Sequence, residues 1–184
     1  KIINRFNGKK ILVIGDIILD KYIKGEVERI SPEAPVPVIN IKTEEYRLGG
    51  AANVAANIAS LLGDPTLIGF IGKDKEAKKT IELIKKNKIK YLPHYITKTT
   101  IKTRIIAENQ QLMRIDKEET APKLFNSSLV KKEIEKADLI ILSDYAKGAI
   151  NKELIEIIGT KNKKTIADTR PKHKSLYKNL FLIT

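Results

Sequence analysis

The chain has no cysteine and no tryptophan, one methionine and two histidines. Without cysteine there is no disulfide framework and no thiolate metal site. The histidines, His94 and His173, lie far apart in sequence and lack a carboxylate-rich neighbourhood, which argues against a zinc site. Aromatic residues make up only 5%, and no basic stretch interleaves them as a single-strand binder would. No apolar run approaches the roughly 20 residues that span a bilayer, and no secretory signal precedes the first strand-like segment. A trimmed cytoplasmic protein with neither a membrane nor a nucleic-acid partner is the expectation.

What is present describes a globular domain: 42% apolar and 31% charged residues in a chain of 184, long enough for a real core. The formal net charge is +13, from 35 Lys and Arg against 22 Asp and Glu. Such a surface suits nucleic acid, membranes or phosphorylated metabolites. Much of the excess sits in Lys85-Lys86-Asn87-Lys88 and Lys161-Asn162-Lys163-Lys164. These are the ends of predicted helices, where cations complement the dipole and stay solvated. Abundant Lys, Glu and Ile fits a thermophile and an AT-rich genome equally well.

The most distinctive stretch runs from Leu48 to Gly63, LGGAANVAANIASLLG. Its alanine content and length predict about three turns of helix. Apolar residues on nearly every side predict burial. Asn53 and Asn57, four residues apart, share one face. Gly49 and Gly50 would let a ligand approach backbone N–H groups closely. The asparagines either bond within the core or face that ligand.

Lys10 to Gly15 reads as a buried parallel strand ending in Gly15-Asp16, with Asp20 just past its end. Ligands bind at the carboxyl ends of strands in open α/β sheets, so Asp16 and Asp20 are candidates, although either acid could instead cap a turn. Tyr22 to Gly25 and Val36 to Ile41 read as strands around a segment with Pro32, Pro35 and Pro37, which forbids helix. Further strands are expected at 66–72, 88–92, 164–168 and 180–183, and one at 138–144 carries Asp144 at its carboxyl end. Helices are expected at 75–86, 123–136 and 151–158. Thr99–Ala107 and Gln111–Ile115 alternate as a hairpin and place Arg104 and Arg114 on strands, free for a phosphate, a carboxylate or an ordinary surface pair. The body is therefore α/β with a mostly parallel sheet, and the extended excursions form a small β lid.

Taken in order, these pieces resemble the ribokinase-like (PfkB) carbohydrate kinases. The matching stretches are Gly15-Asp16 with Leu19-Asp20, Arg29 to Val38 (RISPEAPVPV), Gly49 to Ala55 (GGAANVA), Asn109 to Asp116 (NQQLMRID) and Leu142 to Gly148 (LSDYAKG). Ser31-Pro32-Glu33-Ala34-Pro35 and Ser143 to Gly148 resemble the heptose 7-phosphate kinase branch, which serves lipopolysaccharide heptose synthesis. The resemblance implies phosphoryl transfer from ATP, with Mg²⁺, to the C1 hydroxyl of a sugar phosphate. It implies that Asp16, Asp20, Gly49, Gly50, Asn53 and Asp144 serve the sugar. Arg104 and Lys147 would take its 7-phosphate, and Asp168 and Arg170 would face the nucleotide.

Asp168-Thr169-Arg170 stands where the family has Asp-Pro-Lys, and no Gly-rich loop with a following Asp comes after Asp168. The expectation is thus the N-terminal part of one kinase domain over 1–184, with lid segments at about 21–47 and 97–116. Its catalytic base and most of the nucleotide pocket are expected beyond Thr184, and the isolated chain is expected to be inactive. Lid edges invite strand pairing, and a homodimer through the lids is expected. Rival readings are another sugar or nucleoside kinase of the same fold, a non-catalytic sugar-binding module and a basic nucleic-acid module.

Overall fold

The computed structural model describes residues 3–119, 124–161, 163–170, 175–177 and 180–184. His173, Asn162 and Lys123, where a helix was expected to begin, lie outside these residues. A six-stranded parallel sheet forms the body. Its strands, in spatial order, are β10 (Leu182–Ile183), β9 (Thr165–Asp168), β8 (Leu139–Ser143), β1 (Lys10–Gly15), β4 (Asp64–Ile71) and β5 (Lys90–Tyr95). A second sheet, the lid, has the order β3 (Pro37–Gly50), β2 (Ile17–Ile30), β6 (Ile101–Ala107) and β7 (Gln110–Lys117).

Burial on both faces explains the continuous apolar runs of the central strands. Leu12 and Ile14 of β1 point into one core with Ile68, Leu142, Val130, Ile134, Leu154 and Ile158. Val13, between them, points the other way and packs with Leu67, Ala51, Ala52, Ala55 and Ile84. Helices α3 (Ser127–Lys136) and α4 (Lys152–Gly159) cover the first face, and α1 (Ala51–Ser60) and α2 (Lys75–Lys86) the second. Three of the four helices start on a side-chain cap: Asp74 on α2, Asn126 on α3 and Asn151 on α4. No described helix is long and apolar enough to cross a membrane.

Strand order fixes where a crevice opens. From β1 the chain builds outward through β4 and β5, then returns to the other side of β1 and builds through β8, β9 and β10. The order reverses beside β1, and at that carboxyl edge the chain leaving β1 continues into the lid while the loop after β8 stays with the body.

Several elements differ from the sequence reading. The short lid strands are long: β2 and β3 have fourteen residues each and pair antiparallel, with register shifts at Lys24/Gly25 and Val27/Arg29. Asp20 therefore lies inside β2 rather than in a turn after β1. The proline-rich segment becomes the tip between β2 and β3, closed where the Ser31 N–H donates to the Val36 carbonyl at 2.8 Å. Gly49 and Gly50 end β3, and the helix that follows has ten residues. That helix is buried on one side only, through Ala51, Ala52 and Ala55, while Asn53 and Asn57 are exposed. Alanines set so close to the sheet fill the near side alone. In the lid hairpin, Glu108 and Asn109 both adopt positive φ, as a two-residue turn requires.

The lid joins the body at Asp74. Its carboxylate accepts from the Ala77 N–H at 2.9 Å, the Thr99 N–H at 2.9 Å and the Thr99 hydroxyl at 2.6 Å. Thr99 also accepts from the Gly72 N–H at 3.0 Å, so the chain entering β6 is tied to the end of β4. Burial alone would raise the Asp74 pKa, but the Thr99 and Ala77 bonds and the Lys117 charge outweigh it and hold the carboxyl below its ordinary value of 3.8. A lowered folded-state pKa means stability present above the unfolded value and lost as pH falls through the folded one. Asp74→Asn is expected to lose about 1–2 kcal/mol at neutral pH. The gap from wild type, followed by urea unfolding, should close as acid titrates Asp74 in the parent protein.

Candidate active site

Asp16 sits at the point where the strand order reverses, and it is 3% exposed. Its Oδ2 accepts from the Tyr145 N–H at 2.9 Å and the Lys147 N–H at 3.1 Å, and its Oδ1 from the Ala149 N–H at 3.1 Å. The loop after β8 is wound round this carboxylate, with Ala146 and Gly148 at positive φ. The Asp16 carbonyl accepts from the Ala51 N–H at 2.9 Å, which starts α1 in place of a side-chain cap. Gly50 adopts φ +55° there, and a Cβ on it would lie 2.2 Å from that same carbonyl. A Cβ on Gly49 would lie 2.3 Å from the Asp20 carboxylate. The glycine pair thus lets β3 pass close to both acids.

Asp144 is also buried, at 2%. It accepts from the Ala146 N–H at 2.8 Å, the Thr169 hydroxyl at 3.0 Å and the Tyr177 hydroxyl at 2.6 Å. Burial first, and then the hydrogen bond to Asp144, push the Tyr177 phenol upward, so it stays a proton donor.

Above this floor and under the lid lies a cleft of about 570 Å³. Ile18, Asp20, Gly49, Gly50, Asn53, Lys102, Arg104, Arg114, Asp116, Glu118, Tyr145, Lys147 and Arg170 line it. Of the residues expected from sequence, Asp20, Gly49, Gly50, Asn53, Arg104, Lys147 and Arg170 meet here. Asp16 and Asp144 are not among the lining residues; they lie beneath and shape the loop that carries Tyr145 and Lys147. Asp168, exposed at the end of β9, does not line the cleft either.

The lining is strongly charged, and the charges are paired. Arg104 is hydrogen-bonded to Asp20 on β2, which raises its pKa further. Lys102 reaches Asp116 and Glu118, each at 2.9 Å, and Arg114 reaches Asp116 at 2.9 Å. Lys147 meets Glu118 in a short ion pair. Burial would raise Glu118, but the hydrogen bonds from Lys147 and Lys102 prevail and hold it below the usual carboxylate range. Arg104 faces Arg114 directly across β6 and β7, an unfavourable like-charge pair that Asp20 and Asp116 relieve one cation at a time. Arg170 lies over the Tyr145 ring, 5.3 Å from its centroid.

Lys102 and Glu118 escaped the sequence reading, although strand alternation carried the signal. Lys102 and Arg104 share one face of β6, and Arg114, Asp116 and Glu118 follow at the same spacing along β7 and its continuation. His94 is set apart, against Phe70 and Phe125, where burial lowers its pKa and Nε2 accepts from the Asn126 N–H at 3.0 Å.

Residues 8–183 match the model of the pfkB family carbohydrate kinases. The chain belongs to that family. Among curated relatives it is 45% identical to the bifunctional protein HldE of Helicobacter pylori strain J99, over 96% of this chain and 41% of the relative. It is 42% identical to the HldE of Shewanella sp. strain ANA-3, over 97% of this chain and 39% of the relative. The pfkB chain thus spans about two-fifths of the length of these proteins. Its fold is that of Arabidopsis thaliana ribokinase, solved with ribose and ATP (TM-score 0.66, 17% identity, 88% of this chain and 53% of that one). Phosphofructokinase-2 of Escherichia coli, in a tetrameric inhibited form, superposes with a TM-score of 0.70 at 16% identity, over 96% of this chain and 60% of that one.

The lining carries five cations, Lys102, Arg104, Arg114, Lys147 and Arg170, against three carboxylates, Asp20, Asp116 and Glu118, with Asn53 beside them, a balance that favours a group of negative charge. Among the described residues no group of three or more His, Asp or Glu is placed to hold a metal ion. Asp16→Asn, which turns an amide toward backbone donors, is expected to cost about 2–4 kcal/mol in chemical unfolding. The expected accompaniment is faster amide exchange at Tyr145 to Ala149.

Proposed function

We propose that this chain is the sugar-binding, lid-bearing N-terminal portion of a kinase that phosphorylates a heptose 7-phosphate at its C1 hydroxyl. The observation that carries the reading is the cationic cleft beneath the lid, in a chain 42–45% identical to HldE proteins and bearing the heptose-branch stretches at Ser31–Pro35 and Ser143–Gly148. Asp20 and Asn53 would accept and donate hydrogen bonds to sugar hydroxyls at the Gly49-Gly50 crossing. Arg104 and Lys147 would neutralise the 7-phosphate, with Arg170 at the nucleotide side of the cleft.

ATP, with Mg²⁺, supplies the transferable phosphoryl group when bound. The chain's own residues orient the acceptor, and the lid keeps out the water that would otherwise compete for that group. The proton leaving the acceptor hydroxyl needs a base, which this reading places beyond Thr184, outside the 184-residue chain. A dimer through the lids belongs to the same reading, supported by Met113, Ile115, Ile41 and Ile30, each more than half exposed on the lid strands.

Isothermal titration with heptose 7-phosphate, and with unphosphorylated heptose as control, tests the substrate. Binding should require the phosphate, and Arg104→Gln should weaken it by about tenfold or more. Equal binding of both sugars would overturn the heptose phosphate. Turnover of ATP by this chain with heptose 7-phosphate should be absent, and measurable turnover would refute the placement of the base.

A further inference from the structure

We infer that Glu118 is an internal stand-in for the substrate's phosphate, a carboxylate that holds the cleft's lysines until an anion displaces it. The inference deepens the heptose phosphate reading and takes from it the role of Lys147. Glu118 follows β7 on the lid, while Lys147 belongs to the loop after β8 on the body. Glu118 accepts from both Lys147 and Lys102, so one carboxylate joins the two lysines across the mouth of the cleft. All three side chains are mostly buried, at 20% exposure for Glu118, 18% for Lys147 and 15% for Lys102. Pairs so placed are weakly screened, and the hydrogen bonds from the two lysines outweigh burial and hold the Glu118 carboxyl below its ordinary value.

Two ammonium groups converging on one carboxylate form a site for a group with several oxygens and negative charge. A phosphate offers more oxygens and more charge than Glu118 and would outcompete it. A neutral hydroxyl would not repay the loss of the two ion pairs. Glu118 therefore sets specificity: it penalises every ligand that enters without an anion and keeps Lys102 and Lys147 together while the cleft is empty. Asp116 cannot take this part, because its partners Lys102 and Arg114 both lie on the lid.

The test compares wild type with Glu118→Gln by titration with inorganic phosphate, heptose 7-phosphate and unphosphorylated heptose. Thermal unfolding of both proteins checks that the variant is folded. Removing the competing charge should tighten inorganic phosphate by about tenfold. Unphosphorylated heptose should also bind the variant more tightly than wild type, since it no longer meets a closed ion pair, and no gain there would overturn the penalty on neutral ligands. Phosphate affinity that is unchanged or weaker in Glu118→Gln would overturn the inference and make Glu118 a positioning residue for the lysines. If the variant gains phosphate affinity while wild type binds neither sugar, Glu118 keeps its role and the heptose phosphate reading alone falls; equal binding of both sugars to wild type would overturn both. Glu118→Asp, one methylene shorter, should bind phosphate more tightly than wild type and less tightly than Glu118→Gln; a variant weaker than wild type would count against competition.

Discussion

Asp16 is the constraint on which the rest depends. Its carboxylate gathers three backbone N–H groups of the loop after β8, and its carbonyl starts α1. One residue thereby links β1, the first lid strand, the glycine crossing and the loop that carries Lys147. Because only Asp16 separates β1 from β2, the lid is a continuation of the central strand of the core. The close approach of Gly50 to the Asp16 carbonyl is the steric counterpart of the same arrangement. A buried acid so fully used belongs to the architecture of the site.

Within the cleft the governing fact is compensation. Lys102, Arg104, Arg114 and Lys147 would repel one another if left bare in a half-buried space, and each has a carboxylate partner, Arg114 two residues along its own strand and the others on a neighbouring strand or segment. The cleft's cations are therefore not simply part of the +13 surface. The lysines at helix ends are: Lys163 donates to the carbonyls of Glu135 and Ala137 near the end of α3, where the dipole favours a cation. Net charge alone does not distinguish these cations from the solvated lysines; their convergence under the lid does.

Much of the fold was legible because buried parallel strands and capped helices announce themselves. Lys10 to Gly15 could only be a doubly covered strand, and helix α2 runs from Lys75 to Lys86 as its pattern predicts. The lid strands were harder. Their residues are half-exposed and mixed in character, so alternation faded after Gly25 and the full fourteen-residue lengths were lost. Asp16 and Asp144 drew notice as acids at strand ends, yet sequence could not tell a ligand from a carboxylate consumed by backbone donors. For Asp16 that difference depends on a partner 129 residues away, and for Asp144 on partners 25 and 33 residues away. Lys102 and Glu118 were less legible because an isolated charge on a strand reads as a solvated surface residue until the strand pairing brings the two together.

The place of β1 in the sheet also has a consequence for how the chain is made. Its neighbour β4 arrives early, but β8, which pairs on its other side, and the loop that satisfies Asp16 come roughly a hundred and thirty residues later. At the pace of ribosomal synthesis that is on the order of ten seconds during which a strongly apolar strand has one unfilled edge. The nascent protein must shield Ile11 to Ile14 throughout that interval. The β2–β3 hairpin follows β1 after a single residue, so the first structure complete beside that strand is the lid rather than the rest of its own sheet.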